Sequence, residues 1–198
     1  MARPIAKDHD AKREHILKTA ARVFAQTGFG RTSMSQVAKE CGISKANIYH
    51  YYGSKDGLLF DILDTYLRAL RDRISMLPLE GLSPDDQLGL IVSETLHAYD
   101  GMDEEHKIQT EGIPLLSAQQ QSVLKGYQRD MVTQLSGVVA AVAPAVFDQD
   151  KRKLRSTVMS VFGMLNWFYM WNSGADKEAR TEYADTIARL TLSGVRGL

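Results

Sequence analysis

Apolar residues recur at intervals of three and four along most of the chain, and this spacing is the strongest constraint on its fold. In residues 122–142, for example, the apolar side chains step by three or four positions, which places them on one face of an α-helix. No segment shows the long alternation of apolar and polar residues that is typical of a β-strand. The sequence therefore predicts an all-α protein of about nine helices.

Small and polar residues mark where the N-terminal helices begin and end. The first helix, over residues 11–24, is followed by Gly28, a residue suited to the left-handed conformation of a C-terminal cap. Ser33, Ser44 and Ser54 then precede three further apolar stretches, where a side-chain oxygen can accept the free backbone N–H groups of a helix start. The pattern predicts three helices followed by a longer fourth helix over residues 54–74.

The composition excludes several classes of protein. The 198 residues include one cysteine, Cys41, which excludes a disulfide framework and a cysteine-rich zinc site. Neither a transmembrane run of apolar residues nor a secretory signal is visible, so we expect a cytoplasmic protein with no membrane partner. The G-x-S-x-G, Walker and H-E-x-x-H motifs are missing, so we expect no enzymatic activity, no cofactor and no metal site.

Charge is distributed unevenly between the two parts of the chain. Lys and Arg together number 24, as do Asp and Glu, so the formal net charge is zero. Residues 1–55 nevertheless hold ten basic and four acidic residues, a balance of +6, and residues 56–198 carry the opposite balance of −6. Such an asymmetry points to contact with nucleic acid through the basic end. Within that end, Arg3 and Lys7 belong either to a flexible arm that reaches DNA or to a disordered tail.

Residues 32–52 have the layout of a DNA-binding helix-turn-helix. Two short predicted helices are joined through residues 41–43, a turn of three to four residues that contains a glycine. In this motif the first helix crosses the DNA backbone and supports the second, whose N-terminal residues face base edges in the major groove. Val37, Ala38 and Ile43 are expected to bury the seam between the helices, and Ile48 and Tyr52 are expected in the core.

Residues 32–59, TSMSQVAKECGISKANIYHYYGSKDGLL, resemble the DNA-binding domain of the TetR family of bacterial repressors. The matching features are Ala38, Gly42, Tyr49, the adjacent tyrosines 51 and 52, and Ser54-Lys55 followed by two leucines. The resemblance implies a three-helix DNA-binding domain over residues 11–71, with its helix-turn-helix at about 34–53. It also implies a larger helical domain over residues 72–198 for ligand binding and dimerisation.

The resemblance also implies DNA-contacting roles for individual residues. Lys45 would donate to guanine and Asn47 would bind adenine or a phosphate. Tyr49 would reach a phosphate or a thymine methyl group, and Lys55 would bind a phosphate. The full predicted set is Ser33, Ser35, Lys45, Ala46, Asn47, Tyr49, Tyr51 and Lys55.

The last two predicted helices, at 150–172 and about 177–195, are the expected dimer interface. From Val161 onward the first of them is apolar on all sides, which requires burial on all sides. One side can face the core and the other a second subunit. The TetR resemblance agrees, since the family dimerises through its last two long helices as a four-helix bundle. We therefore expect a homodimer on double-stranded operator DNA that contains an inverted repeat.

The same C-terminal region is the expected site for a small effector. Asn166 lies among aromatic residues and, if buried, needs a polar partner. A second resemblance, over residues 162–171, is to TetR-type regulators that sense acyl-CoA thioesters. The alternative is that these aromatic residues are only core and dimer contacts. Candidate ligand-binding residues are Tyr66, His97, Gln109, Tyr127, Asn166, Tyr169 and Trp171.

These features together predict a repressor that a small apolar or aromatic effector, such as an acyl-CoA thioester, releases from its operator. The fourth helix, over residues 54–74, would carry the signal from the effector site to the DNA-binding domain. One alternative is a TetR-like regulator controlled by a protein partner. The other is an all-helical ligand-binding protein without a role on DNA.

Overall fold

The computed structural model describes the backbone of residues 3–198 and the side chains of residues 9–198. Over this range the chain forms ten α-helices and one 3-10 turn, Ile113–Leu115, and no strand, which confirms the all-α prediction. The helices are α1 (Arg3–Thr27), α2 (Met34–Glu40), α3 (Lys45–Tyr51), α4 (Lys55–Ser75), α5 (Pro84–Ala98), α6 (Asp103–Gly112), α7 (Ala118–Val142), α8 (Pro144–Phe147), α9 (Lys151–Trp171) and α10 (Lys177–Val195).

Two helices differ from the sequence prediction. Helix α7 ends at Val142, just before Pro144, and Pro144 then stands in the first turn of the short helix α8, which the sequence did not predict; its missing N–H costs nothing there. Helix α1 begins at Arg3 rather than near residue 11. The side chains of Arg3 and Lys7, predicted as part of an arm or tail, lie outside the described residues.

The helix starts follow the predicted caps. The hydroxyl oxygens of Ser33 and Ser44 each accept a backbone N–H from three residues further on, at 3.1 Å. The hydroxyl of Ser54 does the same at the start of α4, at 3.0 Å. Gly28 ends α1 with a φ of +89°, in the left-handed region predicted for it. Local sequence signals therefore set the boundaries of the first four helices.

The chain divides into two compact units. The N-terminal unit comprises the chain up to Tyr66 together with Glu104–Leu124, and the C-terminal unit comprises Leu67–Asp103 and Lys125–Leu198. The core of the N-terminal unit is built from fully buried side chains of α1 to α4. They include Ile16, Ala20, Phe24, Val37, Ile48, Leu58, Leu59 and Leu63.

The C-terminal unit is built on α5, α9 and α10. Helix α5 packs along α10, and both contact α9. The core positions repeat at helical spacing, as expected for amphipathic helices. They include Leu88, Val92, Leu96, Val158, Val161, Leu165, Phe168 and Ile187. Among residues 3–198 we find no helix with the length and apolar character needed to span a membrane.

Candidate nucleic-acid interface

Helices α2 and α3 form the predicted helix-turn-helix. In the turn, Gly42 has a φ of +67°, and the backbone N–H of Ile43 donates to the carbonyl oxygen of Ala38 at 3.0 Å. Val37, Ala38 and Ile48 are buried, as predicted, whereas Ile43, also expected in the seam, is only half-buried. The left-handed glycine lets the chain reverse within the turn, so the seam residues meet without strain.

Helix α3 presents most of its surface to solvent. Among its seven residues, all of which the structure describes, Ile48 alone is buried. Lys45, Ala46 and Asn47 are exposed in its first turn, and Tyr49 is 45% exposed. A helix whose first turn is exposed and whose one buried side chain faces the core can enter a groove without losing core contacts.

His50 and Tyr51 complete the exposed face of α3. His50 is exposed, and sequence reasoning did not include it among the DNA-contacting residues. Tyr51 is half-buried because its ring stacks on His9 of α1, with centroids 4.9 Å apart. The sequence singles out Tyr51 as one of two adjacent tyrosines, but local spacing could not predict that its ring would pack on His9 of α1.

The predicted backbone-contacting residues lie at the starts of α2 and α4. Ser33 and Ser35 are exposed, and the Ser33 oxygen caps α2 by accepting the N–H of Gln36. The Lys55 ammonium donates to the carbonyl oxygens of Phe29 at 2.7 Å and Thr32 at 2.8 Å. Lys55 therefore holds the start of α4 against the turn that precedes α2.

Tyr52, the residue that follows α3, anchors the C-terminal end of that helix. Its side chain is 8% exposed, as predicted for a core residue, and its hydroxyl donates to Asp61 Oδ2 at 2.7 Å. The same oxygen accepts Arg13 Nε at 3.0 Å, and a second Arg13 nitrogen pairs with Asp61 Oδ1. Burial, together with the Asp61 carboxylate, raises the pKa of the Tyr52 phenol. Sequence reasoning missed Arg13 and Asp61.

The predicted ligand-binding residues fall in both units. Tyr66 and Gln109 are buried in the N-terminal unit, where the Tyr66 hydroxyl is 2.8 Å from His106 Nδ1. The C-terminal unit holds the other five. These are His97, Tyr127, Asn166, Tyr169 and Trp171.

Asn166 was expected to need a polar partner if it were buried. It is exposed, and its Oδ1 accepts the hydroxyl of Tyr99 at 2.7 Å. Tyr99 is the buried member of the pair, and its burial raises the pKa of its phenol. The bond thus pairs a surface amide with a buried phenol, and the role of Asn166 toward a ligand stays a prediction.

Helices α9 and α10 enclose an open groove of about 370 Å³ in the C-terminal unit. Its lining combines apolar side chains with Lys153 and several hydroxyl residues of α9 and α10. Leu190, which lines the groove, is 59% exposed, and Trp167 of α9, outside this lining, is 61% exposed. The apolar residues that line the groove are Val161, Met164, Leu190, Val195 and Leu198.

A helix-turn-helix with an exposed second helix, followed by a larger helical unit, defines the class of DNA-binding transcriptional regulators. Two family models match the chain. Residues 16–62 match "Bacterial regulatory proteins, tetR family", and residues 81–195 match "Tetracyclin repressor-like, C-terminal domain". The chain belongs to the TetR family, whose members are transcriptional regulators rather than enzymes. This result excludes the alternative of a helical protein without a role on DNA.

Some curated relatives match only part of this chain, and another matches nearly all of it. The uncharacterized HTH-type transcriptional regulator YuxN of Bacillus subtilis is 41% identical over 73 residues, which cover 37% of this chain and 25% of YuxN. The chain thus spans only a quarter of that relative's length. The HTH-type transcriptional repressor NicS of Pseudomonas putida is 26% identical over 218 aligned positions, which cover 96% of this chain and 95% of NicS.

Solved structures share the fold along nearly the whole chain. A TetR-family regulator from Bordetella parapertussis has a TM-score of 0.85 and 26% identity, over 94% of this chain and 96% of that one. AibR, in complex with isovaleryl coenzyme A and operator DNA, has a TM-score of 0.75 and 20% identity, over 90% and 97% of the two chains. At this level of sequence identity, the similarity to AibR shows a shared fold and nothing about the ligand of this chain.

Proposed function

We propose that two copies of this chain bind an inverted-repeat operator as a homodimer and repress transcription until a small apolar or aromatic effector binds. The observation that carries the proposal is the exposed first turn of α3, with Lys45, Ala46 and Asn47 beside the Ser44 cap. In this proposal, residues 11–71 bind DNA and residues 72–198 bind the effector and the second subunit.

Base recognition would come from the first turn of α3. Lys45 has the charge and reach to donate to guanine O6 and N7, and Asn47 has the amide that pairs with adenine. Ala46 is small enough to approach a thymine methyl group. Tyr49 is exposed one turn further along and would contact either a phosphate or a thymine methyl.

Phosphate contacts would come from the edges of the motif. Ser33, the cap of α2, and Ser35, in its first turn, are exposed where free backbone N–H groups favour an anion. Lys55 has three ammonium hydrogens, of which two bind backbone carbonyls and one can bind a phosphate. Tyr51 would reach the DNA from the end of α3. Such contacts set the register of the protein on the duplex without reading its sequence.

The groove between α9 and α10 supports dimerisation. The exposed residues Trp167 and Leu190 would lose contact with water when a second copy covers this face. A two-fold dimer would present two α3 helices to half-sites about one helical turn, roughly 34–36 Å, apart. Two half-sites supply the affinity that a single short helix lacks.

The C-terminal unit supports an apolar or aromatic effector. Phe168 and Tyr183 stack with centroids 4.9 Å apart, and Trp171 meets both rings edge-on. An aromatic cluster of this kind suits a flat or acyl ligand, with Asn166 offering a polar contact. AibR, which shares the fold, was crystallised with isovaleryl coenzyme A, so an acyl-CoA thioester is the effector class to examine first. A role for Tyr66 and Gln109 in effector binding stays a prediction.

The signal would pass along α4, which runs from Lys55 to Ser75. An effector that prefers one position of this helix would change the separation of the two α3 helices and weaken operator binding. Because binding free energies are linked, operator DNA must then weaken effector binding by the same factor.

The test begins with selection of duplexes from a random library by the full-length chain. We expect enrichment of an inverted repeat, and we expect isovaleryl-CoA or another acyl-CoA ester to lower the affinity for it. Failure to bind any duplex at low salt would contradict operator binding. An operator affinity that no acyl-CoA ester or aromatic acid changes would instead contradict the effector and favour control by a protein partner.

A further inference from the structure

The geometry points to Arg13, Asp61 and Tyr52 as a positioning network that fixes the tilt of α3 and thereby sets base selectivity. This inference rests on the proposed operator binding. It adds residues that act on DNA through α3 rather than by contact with a base. It also gives a reason why a partly buried ion pair, between Arg13 and Asp61, lies beside the end of α3.

Helix α3 has few restraints of its own. Ile48 is its one buried residue, all seven positions being described, and the turn bond between Ile43 and Ala38 restrains its N-terminal end. Tyr52 caps the opposite end, four residues beyond Ile48, or about 6 Å along the axis. The stack of Tyr51 on the exposed ring of His9 also contacts this end, but stacked rings can slide past each other. Without a fixed Tyr52, α3 can therefore rock about Ile48.

The network ties Tyr52 to two other helices. The Tyr52 hydroxyl donates to Asp61 Oδ2 of α4 at 2.7 Å, a short bond to a charged acceptor. Arg13 of α1 binds both oxygens of the same carboxylate, so Asp61 cannot turn away from Tyr52 without breaking a bidentate pair. A further Arg13 contact, to Thr65 at 3.4 Å, lies on the same side of α4.

Rocking of α3 would affect the two kinds of DNA contact differently. A shift of about 1 Å at Tyr52 moves Lys45, at the other side of Ile48, by a similar distance, which exceeds the tolerance of a hydrogen bond to a base edge. Attraction to phosphates decays slowly with distance, so it survives such a shift. The network should therefore control selectivity between sequences and leave affinity for arbitrary DNA unchanged.

The experiment compares wild type with Tyr52→Phe, which removes only the hydroxyl. Fluorescence anisotropy at one fixed salt concentration gives the affinity of the full chain for the selected operator and for a scrambled duplex. We expect the operator affinity to fall about tenfold, as for a mismatched base pair, with no change for the scrambled duplex. The salt slope should be unchanged, because no phosphate contact is lost.

Two further variants separate positioning from general stability. Tyr99→Phe is the matched control, since it removes a hydroxyl that donates at 2.7 Å from a buried ring in the C-terminal unit, and it should keep wild-type selectivity. Arg13→Gln should reproduce the selectivity loss of Tyr52→Phe. The double variant should lose less than the product of the two single losses, because both act through Asp61. If Tyr52→Phe does not fold, Arg13→Gln alone carries the comparison.

The inference is overturned if Tyr52→Phe and Arg13→Gln keep wild-type selectivity, or if Tyr99→Phe loses it to the same extent. Losses that multiply in the double variant would also overturn it, because Arg13 and Tyr52 would then act separately. A wild-type chain that does not distinguish the operator from the scrambled duplex would instead contradict the proposed function itself.

Discussion

The ammonium nitrogen of Lys55 lies 2.7 Å from the carbonyl oxygen of Phe29 and 4.3 Å from the centroid of the Phe29 ring. One lysine thus binds both the backbone and the aromatic face of the residue that follows Gly28. This contact joins α4 to the turn between α1 and α2. It gives Lys55 a structural role in addition to the phosphate contact that the sequence predicts.

Lys55→Ala should lower both stability and DNA affinity. The carbonyl oxygens of Phe29 and Thr32 lose a charged donor, which should cost about 1–3 kcal/mol in the free energy of unfolding. The loss of one phosphate contact should weaken all sequences alike and reduce the salt slope by about 0.9 per protomer. Denaturant unfolding and a salt titration of operator binding measure the two effects. Lys107→Ala, at an exposed position of α6, is the control. An unchanged salt slope would leave Lys55 with the structural role alone.

Ser44→Ala should weaken operator binding through the start of α3. The Ser44 oxygen accepts the N–H of Asn47 at 3.1 Å, and loss of such a cap costs about 1 kcal/mol. Ser83→Ala removes the equivalent cap of α5, where the bond to Asp86 is 3.2 Å, and should cost a similar amount. Thermal unfolding should show comparable losses, whereas only Ser44→Ala should reduce operator affinity. Equal operator affinities in the two variants would contradict a role for the α3 cap in binding.

The sequence predicts the helix-turn-helix in detail because its signals are local. Ser33, Ser44 and Gly42 each act on residues within a few positions, so a cap or a turn can be recognised without knowledge of the rest of the fold. The apolar spacing likewise identifies Val37 and Ile48 as buried, since period alone decides which face of an amphipathic helix is covered.

Contacts between distant residues could not be predicted in this way. Arg13 and Asp61 are 48 positions apart, and helical periodicity states which face each occupies but not which face it meets. Tyr52 was correctly expected in the core. Its hydrogen bond to Asp61 could not be predicted, because it depends on how α3 and α4 pack together. The bond between Tyr99 and Asn166 could not be predicted for a related reason, because the aromatic run of α9 does not show which of its sides the C-terminal unit covers.

Leu190→Glu should prevent dimerisation. Leu190 is 59% exposed on the rim of the groove between α9 and α10, and a charge there would have to be buried when a second copy binds. We expect a monomer in sedimentation velocity and at least about a tenfold loss of operator affinity, because the second half-site no longer adds to binding. Leu115→Glu, at a residue 55% exposed in the 3-10 turn, should leave the wild-type assembly unchanged. A Leu190→Glu dimer would exclude this face as the interface.

Tyr99→Phe should be least harmful at alkaline pH. Burial raises the pKa of the Tyr99 phenol, so the folded protein keeps this proton where the unfolded chain, with a pKa near 10, releases it. Below about pH 10 both states are protonated and the contribution is constant. Above that value ionisation favours the unfolded state, so the wild type loses stability that the variant cannot lose.

Urea unfolding of wild type and Tyr99→Phe measures this difference directly. At pH 7 the variant should be less stable by about 1 kcal/mol, because the hydrogen bond to Asn166 is lost. Between pH 9 and pH 11 the two free energies of unfolding should converge. A constant difference over that range would show that the phenol ionises equally readily in the folded and unfolded chains.

The most direct test of base recognition by α3 is the base preference of Lys45→Ala. Lys45 is exposed at the first position of α3, and its loss should remove a preference of about 1–3 kcal/mol at one symmetric position of each half-site. Competition with operators substituted at single positions measures this preference, with wild type and Lys107→Ala as references. We predict that Lys45→Ala no longer distinguishes the bases at that position while the other preferences stay. An unchanged preference at every position of the operator would contradict recognition through the first turn of α3.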